Sequence, residues 1–271
     1  MPGFFSPVIF VLQGLSVSVG QQDGRIMPCV ILPRLFAAES IMSCLLIVDA
    51  SSSLCSVALS RGSESWSLCE DQPRRHAQRL LPMVDELLTR AGVKKAELEG
   101  IAYGRGPGSF TGIRIAASVL QGIAFALELP VCGISSLQSV ALKTLRSSQA
   151  DHVMAVMDAH MGEVFWGHFQ REGELCRLIG AEHVGSPEQC LQALKAFDGI
   201  VAGDGLTLPA FASCAQDWAD VQPQADIMLA LAEDAWQRGE FGSVEQHPPV
   251  YLRDSVAWKK LDEQPSLLRR D

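Results

Sequence analysis

Residues 104–116 read GRGPGSFTGIRIA, a glycine-rich loop that runs into a stretch of helical spacing. Such a loop could turn backbone N–H groups and a helix N-terminus toward an anion. A phosphate loop of the GxxxxGK type needs a lysine after its second glycine, and none stands there. A dinucleotide pattern GxGxxG, counted from Gly104 and Gly106, meets Ser109 at its third place. Two readings remain. Gly106, Gly108 and Ser109 could bind an anion. In the preferred alternative the glycines let strand, turn and helix approach closely, and Ser109 or Thr111 caps the helix.

Other chemistry-bearing residues are sparse. Asp49 and Asp158 each end an apolar run, IVDA at 47–50 and VMDA at 156–159. Beside Ser51, Ser52 and Ser53, Asp49 could orient Mg²⁺ or water near a phosphate. It could equally close a local turn. Glu163 is read as an exposed strand residue in preference to a site carboxylate. The six histidines include no HxxxH or HExxH pair, so no metal site is expected, and His76 is expected at the surface or in a contact. GPGSF is not the GxSxG of a serine nucleophile. The eight cysteines form no CxxC knuckle. Several lie in apolar runs and are expected to act as small buried hydrophobes in a reducing compartment.

The elements that must hold these residues follow from periodicity. CLLIVDA (44–50), LCSVALS (54–60) and ESWSLCE (64–70) predict an antiparallel meander. HAQRLLPMVDELLTRAG (76–92) predicts a helix stopped by Gly92, with Pro82 forcing a kink or a new first turn. A strand at 99–103, a helix over about 111–128, a strand at 131–134 and a helix at 135–145 follow. The 111–128 helix carries Gly112, Ala116, Ala117, Ser118, Gly122, Ala124 and Ala126 on more than one face, fit for close packing on both sides. After a composition break at 146–151 a second unit repeats the plan: three strands, a helix at SPEQCLQAL, a strand and turn at DGIVAGDG, and a helix at ADIMLALAEDAWQRG. Two similar βββαβα halves, each with an acidic residue ending its first strand, describe the actin-like plan. The expected division is an extension at 1–42, a first lobe at 43–145 and a second, reduced lobe at 146–271.

Composition sets limits. With 48% hydrophobic and 20% charged residues, the chain can bury a large core and is not disordered as a whole. A net charge of −9 argues against gripping nucleic acid alone, since phosphate contacts dominate that affinity. The apolar segment FFSPVIFVLQGLSVSVG has no basic segment before it and is interrupted by Gln13, so it fits neither a secretory signal nor a membrane span. Met42 directly precedes a clean strand pattern and is the expected native start.

Four motifs in order, HAQRLLPMVDELL, AYGRGPGSFTGIRIA, MDAHMGEVFW and VYLRDSVAWKKL, closely resemble the TsaB (YeaZ) family over roughly residues 43–262. The resemblance implies an α/β, actin-like (ASKHA, RNase H-like) fold of two lobes, the second degenerate. It implies a cytoplasmic, non-catalytic subunit of the complex that adds threonylcarbamoyl to adenosine 37 of ANN-decoding tRNAs. Such a subunit pairs with the catalytic paralogue TsaD, with the ATPase TsaE and with itself. It meets tRNA only through the complex and no membrane. No intrinsic cofactor or metal is implied; ATP or ADP and Mg enter at the level of the complex. The partner surface in the family uses the two first-lobe helices, which points to His76, Arg79, Leu80, Met83, Leu87, Arg114, Ala117, Val119 and Gln121. Asp49, Ser51, Gly106, Gly108, Ser109 and Asp158 then stand as a vestigial nucleotide or anion site. The turn DASSSLCSVAL departs from the family pattern. An active ATPase of the same fold is the alternative reading. A peptidase, a label once attached to relatives, finds no nucleophile–base or metal set in this sequence.

Overall fold

The computed structural model describes residues 43–71 and 75–253. The expectations for the extension 1–42 and for the tail beyond Arg253 lie outside the described residues.

The first sheet has the order β3-β2-β1-β4-β5. Its strands are β1 (Cys44–Asp49), β2 (Leu54–Arg61), β3 (Glu64–Asp71), β4 (Gly100–Gly106) and β5 (Val131–Ser135). The first three form the expected antiparallel meander; β4 and β5 add in parallel to β1. All six residues of β1 are buried, which is why CLLIVD is a continuous apolar run ending in one acid. The second sheet, β8-β7-β6-β9, repeats the order without a fifth strand. It consists of β6 (His152–His160), β7 (Glu163–Glu172), β8 (Leu175–Gly185) and β9 (Ile200–Ala202).

Among the described residues five helices cover the sheets: α1 (His76–Ala91), α2 (Phe110–Leu127), α3 (Ser136–Arg146), α4 (Pro187–Leu194) and α5 (Ala225–Gln237). α1 and α2 lie side by side on one face of the first sheet. α4 covers the outer face of the second sheet. Between the sheets lie α3 and α5, and they are exchanged. α3 packs mainly on the second sheet, and α5, from the far end of the chain, packs on the first. One apolar core therefore runs from Leu45 and Ile47 through Leu137 and Met228 to Met157 and Phe165. The Arg171 guanidinium ties down the link after α3 by donating to the carbonyls of Leu145, Ser148 and Ala150.

Pro82 neither kinks α1 into two elements nor starts a new one; α1 runs unbroken from His76 to Ala91. Pro82 and Gln78 are both exposed. The carbonyl that loses its intrahelical donor therefore faces water, where the loss is cheap. Gly92 ends α1 in the left-handed region at φ 64°, and its N–H and that of Val93 close the last turn.

Candidate functional site

The glycine loop follows β4 directly, and Ser109 caps α2 by accepting the Gly112 N–H at 3.2 Å. Thr111 sits inside the helix. The loop presses on the turn after β1. A Cβ at Gly104 would run into the Asp49 carboxylate, one at Gly108 into the Ser51 carbonyl, and one at Gly112 into the Ala50 carbonyl. The Ser109 N–H donates to the Ser51 carbonyl at 2.8 Å. Gly106, at φ 99°, lies against the carbonyl of Val250. These positions need glycine because another chain segment fills the space a side chain would take.

Asp49 is fully buried. Its Oδ1 accepts the Ser51 N–H at 3.2 Å, and its Oδ2 has no hydrogen-bond partner among the described residues. Burial pushes its carboxyl up from 3.8 to about 6, against the opposing pull of the Ser51 and Ala50 donors. Asp158 takes a different place. It is half-buried, its Oδ1 accepts the His160 N–H at 2.8 Å, and its Oδ2 lies 3.2 Å from His160 Nδ1. The Asp158 N–H donates to Asp204 of the GDG turn. No hydrogen bond or ion pair joins Asp49 to Asp158 among the described residues. Each carboxylate serves its own turn.

A strap from the C-terminal side crosses this region. The Val250 N–H donates to the Arg105 carbonyl at 2.8 Å. Tyr251 meets Phe110 ring to ring at 5.5 Å, and its hydroxyl accepts from Arg114 Nε at 3.1 Å. Arg253 donates to the Ala159 carbonyl and pairs with Glu163. Glu163 is therefore a half-buried ion-pair partner and not the exposed strand residue expected.

The residues proposed for a partner surface divide. Leu80, Met83 and Leu87 are fully enclosed by this chain's own core, as is nearly all of Ala117. They face the sheet, which corrects the expectation from the sequence that they meet a partner: no partner can touch Leu80, Met83 or Leu87 without unpacking α1, or Ala117 without unpacking α2. His76 is also buried, its Nε2 3.3 Å from the Ser53 carbonyl, which corrects its surface placement. Arg79 bonds Glu70 with Nε and Nη2, the first at 2.9 Å, and holds the Glu70 carboxyl below its usual range. Arg114 and Gln121 are exposed and Val119 half-buried on the outer side of α2.

What lies outward is a face the helical periodicity left one position off. On α1, Leu81 is 48% exposed. On α2, Val119, Gly122, Phe125 and Ala126 share the outer side, with Phe125 at 90% exposure. A Cβ on Gly122 would meet nothing within 4 Å. The opposite side of α2, with Gly112, Ile113, Ala116, Leu120 and Ala124, is buried on the sheet. Composition alone would also let α2 cross a membrane. One side packed on the sheet and an outer side that carries Val119, Phe125 and Ala126 account for the same apolar content. The signal for Phe125 was in the sequence: it is out of phase with the buried stripe.

Histidine spacing along the chain missed a pair that the sheet makes. The β6–β7 register sets His152 Nδ1 2.9 Å from His168 Nε2, because cross-strand neighbours carry no fixed sequence spacing. Of the cysteines, Cys44, Cys55, Cys132, Cys176 and Cys190 are buried, and burial raises each thiol to about 11 or 12.

Comparison with known proteins agrees with this geometry. Residues 69–235 match the family model "TsaD: tRNA N6-adenosine threonylcarbamoyltransferase". The chain is 37% identical over 225 residues to the tRNA threonylcarbamoyladenosine biosynthesis protein TsaB of Escherichia coli, covering 80% of this chain and 97% of the relative. The TsaB of Haemophilus influenzae is 38% identical, with 80% and 96% covered. A solved structure, YeaZ from Pseudomonas aeruginosa, superposes with a TM-score of 0.72 at 45% identity, covering 78% of this chain and all of the other.

Proposed function

The chain belongs to the TsaB family of tRNA threonylcarbamoyladenosine biosynthesis proteins, and from that premise we propose that it acts as a non-catalytic partner that pairs with TsaD through the outer face of α1 and α2. The observation that carries this is the 90% exposure of Phe125 near Gly122 and Ala126 on α2, with Leu81 exposed on α1. An aromatic ring left in water next to small residues offers a projecting anchor and a flat surface for a close-packed helix. The same face can pair with a second copy of this chain, so homodimer and heterodimer compete for it. TsaE joins the pair, tRNA is met through the assembled complex, and the work is done in the cytoplasm. The closely packed glycine loop, with no lysine after its glycines, supports a subunit that positions its partner instead of turning over ATP.

The test is Phe125→Glu beside Leu81→Glu, followed by light scattering and pull-down with TsaD. Both variants should fold, as circular dichroism would show, and both should lose self-association and TsaD pairing. Pairing that survives in both would place the partner surface elsewhere.

A further inference from the structure

Beyond the partner face, a cavity of about 440 Å³ opens between β5, the first turn of α3, the hairpin joining β7 to β8, and the last turns of α5. Three arginines line it, and three carboxylates line it with them: Glu172, Asp234 and Glu240. Arg177 lies 3.9 Å from Glu172. Arg238 holds both Asp234 and Glu240, the latter at 2.8 Å. Arg105 is left over. Among the described residues it has no ion-pair partner, and its Nε is buried without a hydrogen-bond partner.

The position of Arg105 is built by the fold. The ladder between β4 and β5 slips between Gly104 and Gly106, so Arg105 sits in a bulge that re-aims its side chain. Its stem crosses β5 at Gly133, where a Cβ would lie 2.9 Å from Arg105 Cδ and 3.0 Å from its Cβ. Its carbonyl is fixed by the Val250 N–H. The other polar groups nearby are spent. Ser135 Oγ donates to Glu182 and caps α3 by accepting the Gln138 N–H, and the Gln138 amide donates to the Cys176 carbonyl.

We propose that this cavity is a binding site for a small carboxylate of amino-acid size, anchored by the Arg105 guanidinium. Arg105 is half-buried, its Nε is enclosed without a hydrogen-bond partner among the described residues, and a planar carboxylate matches the fork of a guanidinium. The lining itself carries three positive and three negative formal charges, and the Glu182 carboxyl, held by Ser135, adds a fourth negative group that Arg105 feels. A singly charged ligand adds less to that negative charge than phosphate does. Asp234 and Glu240, two carboxylates sharing one arginine, leave room for an ammonium group at the other end. The site shares no residue with the outer face of α1 and α2, so it stands or falls apart from the pairing proposal.

The experiment is titration of the full chain with acetate, L-alanine and inorganic phosphate, followed by amide nuclear magnetic resonance at Gly133, Ser135 and Gln138. Acetate and alanine should give saturable shifts at these amides, with phosphate binding more weakly. Arg105→Gln should weaken carboxylate binding by about tenfold or more, as loss of a charge-assisted pair implies. Arg105→Lys, which keeps the charge without the fork, should fall between, and Arg90→Gln, on α1 and outside the cavity lining, should bind as the parent does. Absence of saturable shifts at tens of millimolar ligand, shifts that persist in both Arg105 variants, or phosphate binding tighter than both carboxylates would overturn the proposal.

Discussion

Asp49→Asn tests whether the buried acid at the end of β1 is a burden on the fold. The Asp49 carboxyl is enclosed, with one oxygen on the Ser51 N–H and the other unpartnered. Burial raises it from 3.8 to about 6 in the folded chain. A raised acid favours the folded state only while it is protonated. Below pH about 4 there is no penalty. As pH rises from about 4 to 6 the unfolded chain gains more from ionisation, and stability falls; above pH 6 the penalty is constant. At about 1.4 kcal/mol per pKa unit, the full penalty is about 3 kcal/mol, an order-of-magnitude figure. Asparagine keeps an oxygen for the Ser51 N–H and cannot ionise. Urea unfolding of parent and variant at pH 4, 6 and 7.5 should show a gain for the variant that grows by about 2 kcal/mol from the lowest to the highest pH. In a chain of this size that is a rise in Tm of about 4–8 °C at pH 7.5 relative to pH 4. A variant whose effect is the same at all three pH values would refute the reasoning, because the cost would then lie in shape and not in charge.

Further outcomes follow from the same geometry. Leu80→Glu should unfold the chain or cost more than about 3 kcal/mol, since it buries an unpaired charge, whereas its neighbour Leu81→Glu should change stability by less than about 1 kcal/mol and lose only pairing. Circular dichroism melts beside light scattering separate the two. Gly112→Ala should cost more than about 2 kcal/mol, because its Cβ would displace the Ala50 carbonyl, while Gly122→Ala, with open space around it, should gain up to about 1 kcal/mol in helix propensity. Equal effects of the two would show that loop and turn are not in the close contact described. The protein alone should not hydrolyse ATP at a rate that Asp49→Ala abolishes; such turnover would show a working nucleotide site.

The sequence reveals the strands and helices well because each signal is local. CLLIVD is buried on both faces and reads as an unbroken apolar run. Ser109 and Gly92 bracket their helices with side-chain and left-handed caps. Two kinds of information were not local. Which side of α1 faces out depends on one position of helical phase: Leu80 is wholly enclosed and Leu81 is not. Since 100° of rotation separates neighbours, a plausible stripe can be drawn through either. The second kind is long-range assembly. The exchange of α3 and α5 between sheets, the His152–His168 pair and the strap at Val250–Arg253 each join residues with no shared pattern. The unpartnered Nε of Arg105 was hidden in plain view inside the glycine loop, because its meaning depends on a bulge and on Gly133 of another strand.

The glycine loop resembles a phosphate loop in composition and differs in what its backbone does. The Ser109 N–H, which a phosphate loop would turn to its ligand, is donated to the Ser51 carbonyl. Gly104, Gly108 and Gly112 leave room for Asp49, Ser51 and Ala50, not for an oxyanion of another molecule. The close contact sets the start of α2 directly on the end of the fully buried β1, and Ser109 fixes the first turn. α2 then leaves the sheet edge at a set height and angle, with its small residues Ala116, Ala117 and Ala124 against the sheet. Because the inner side packs so closely, the outer side is held as a rigid plane that carries Gly122 and Phe125. Under the proposed pairing, a helix that is already ordered gains affinity because it need not be ordered on binding. On this argument the loop's glycines act on pairing at a distance, through the position of α2. Gly108→Ala, whose Cβ would collide with the Ser51 carbonyl, should then weaken TsaD pairing at a temperature where the chain remains folded, although Gly108 lies in the loop and not on the outer face. Undiminished pairing by a folded Gly108→Ala chain would separate the loop from the partner surface.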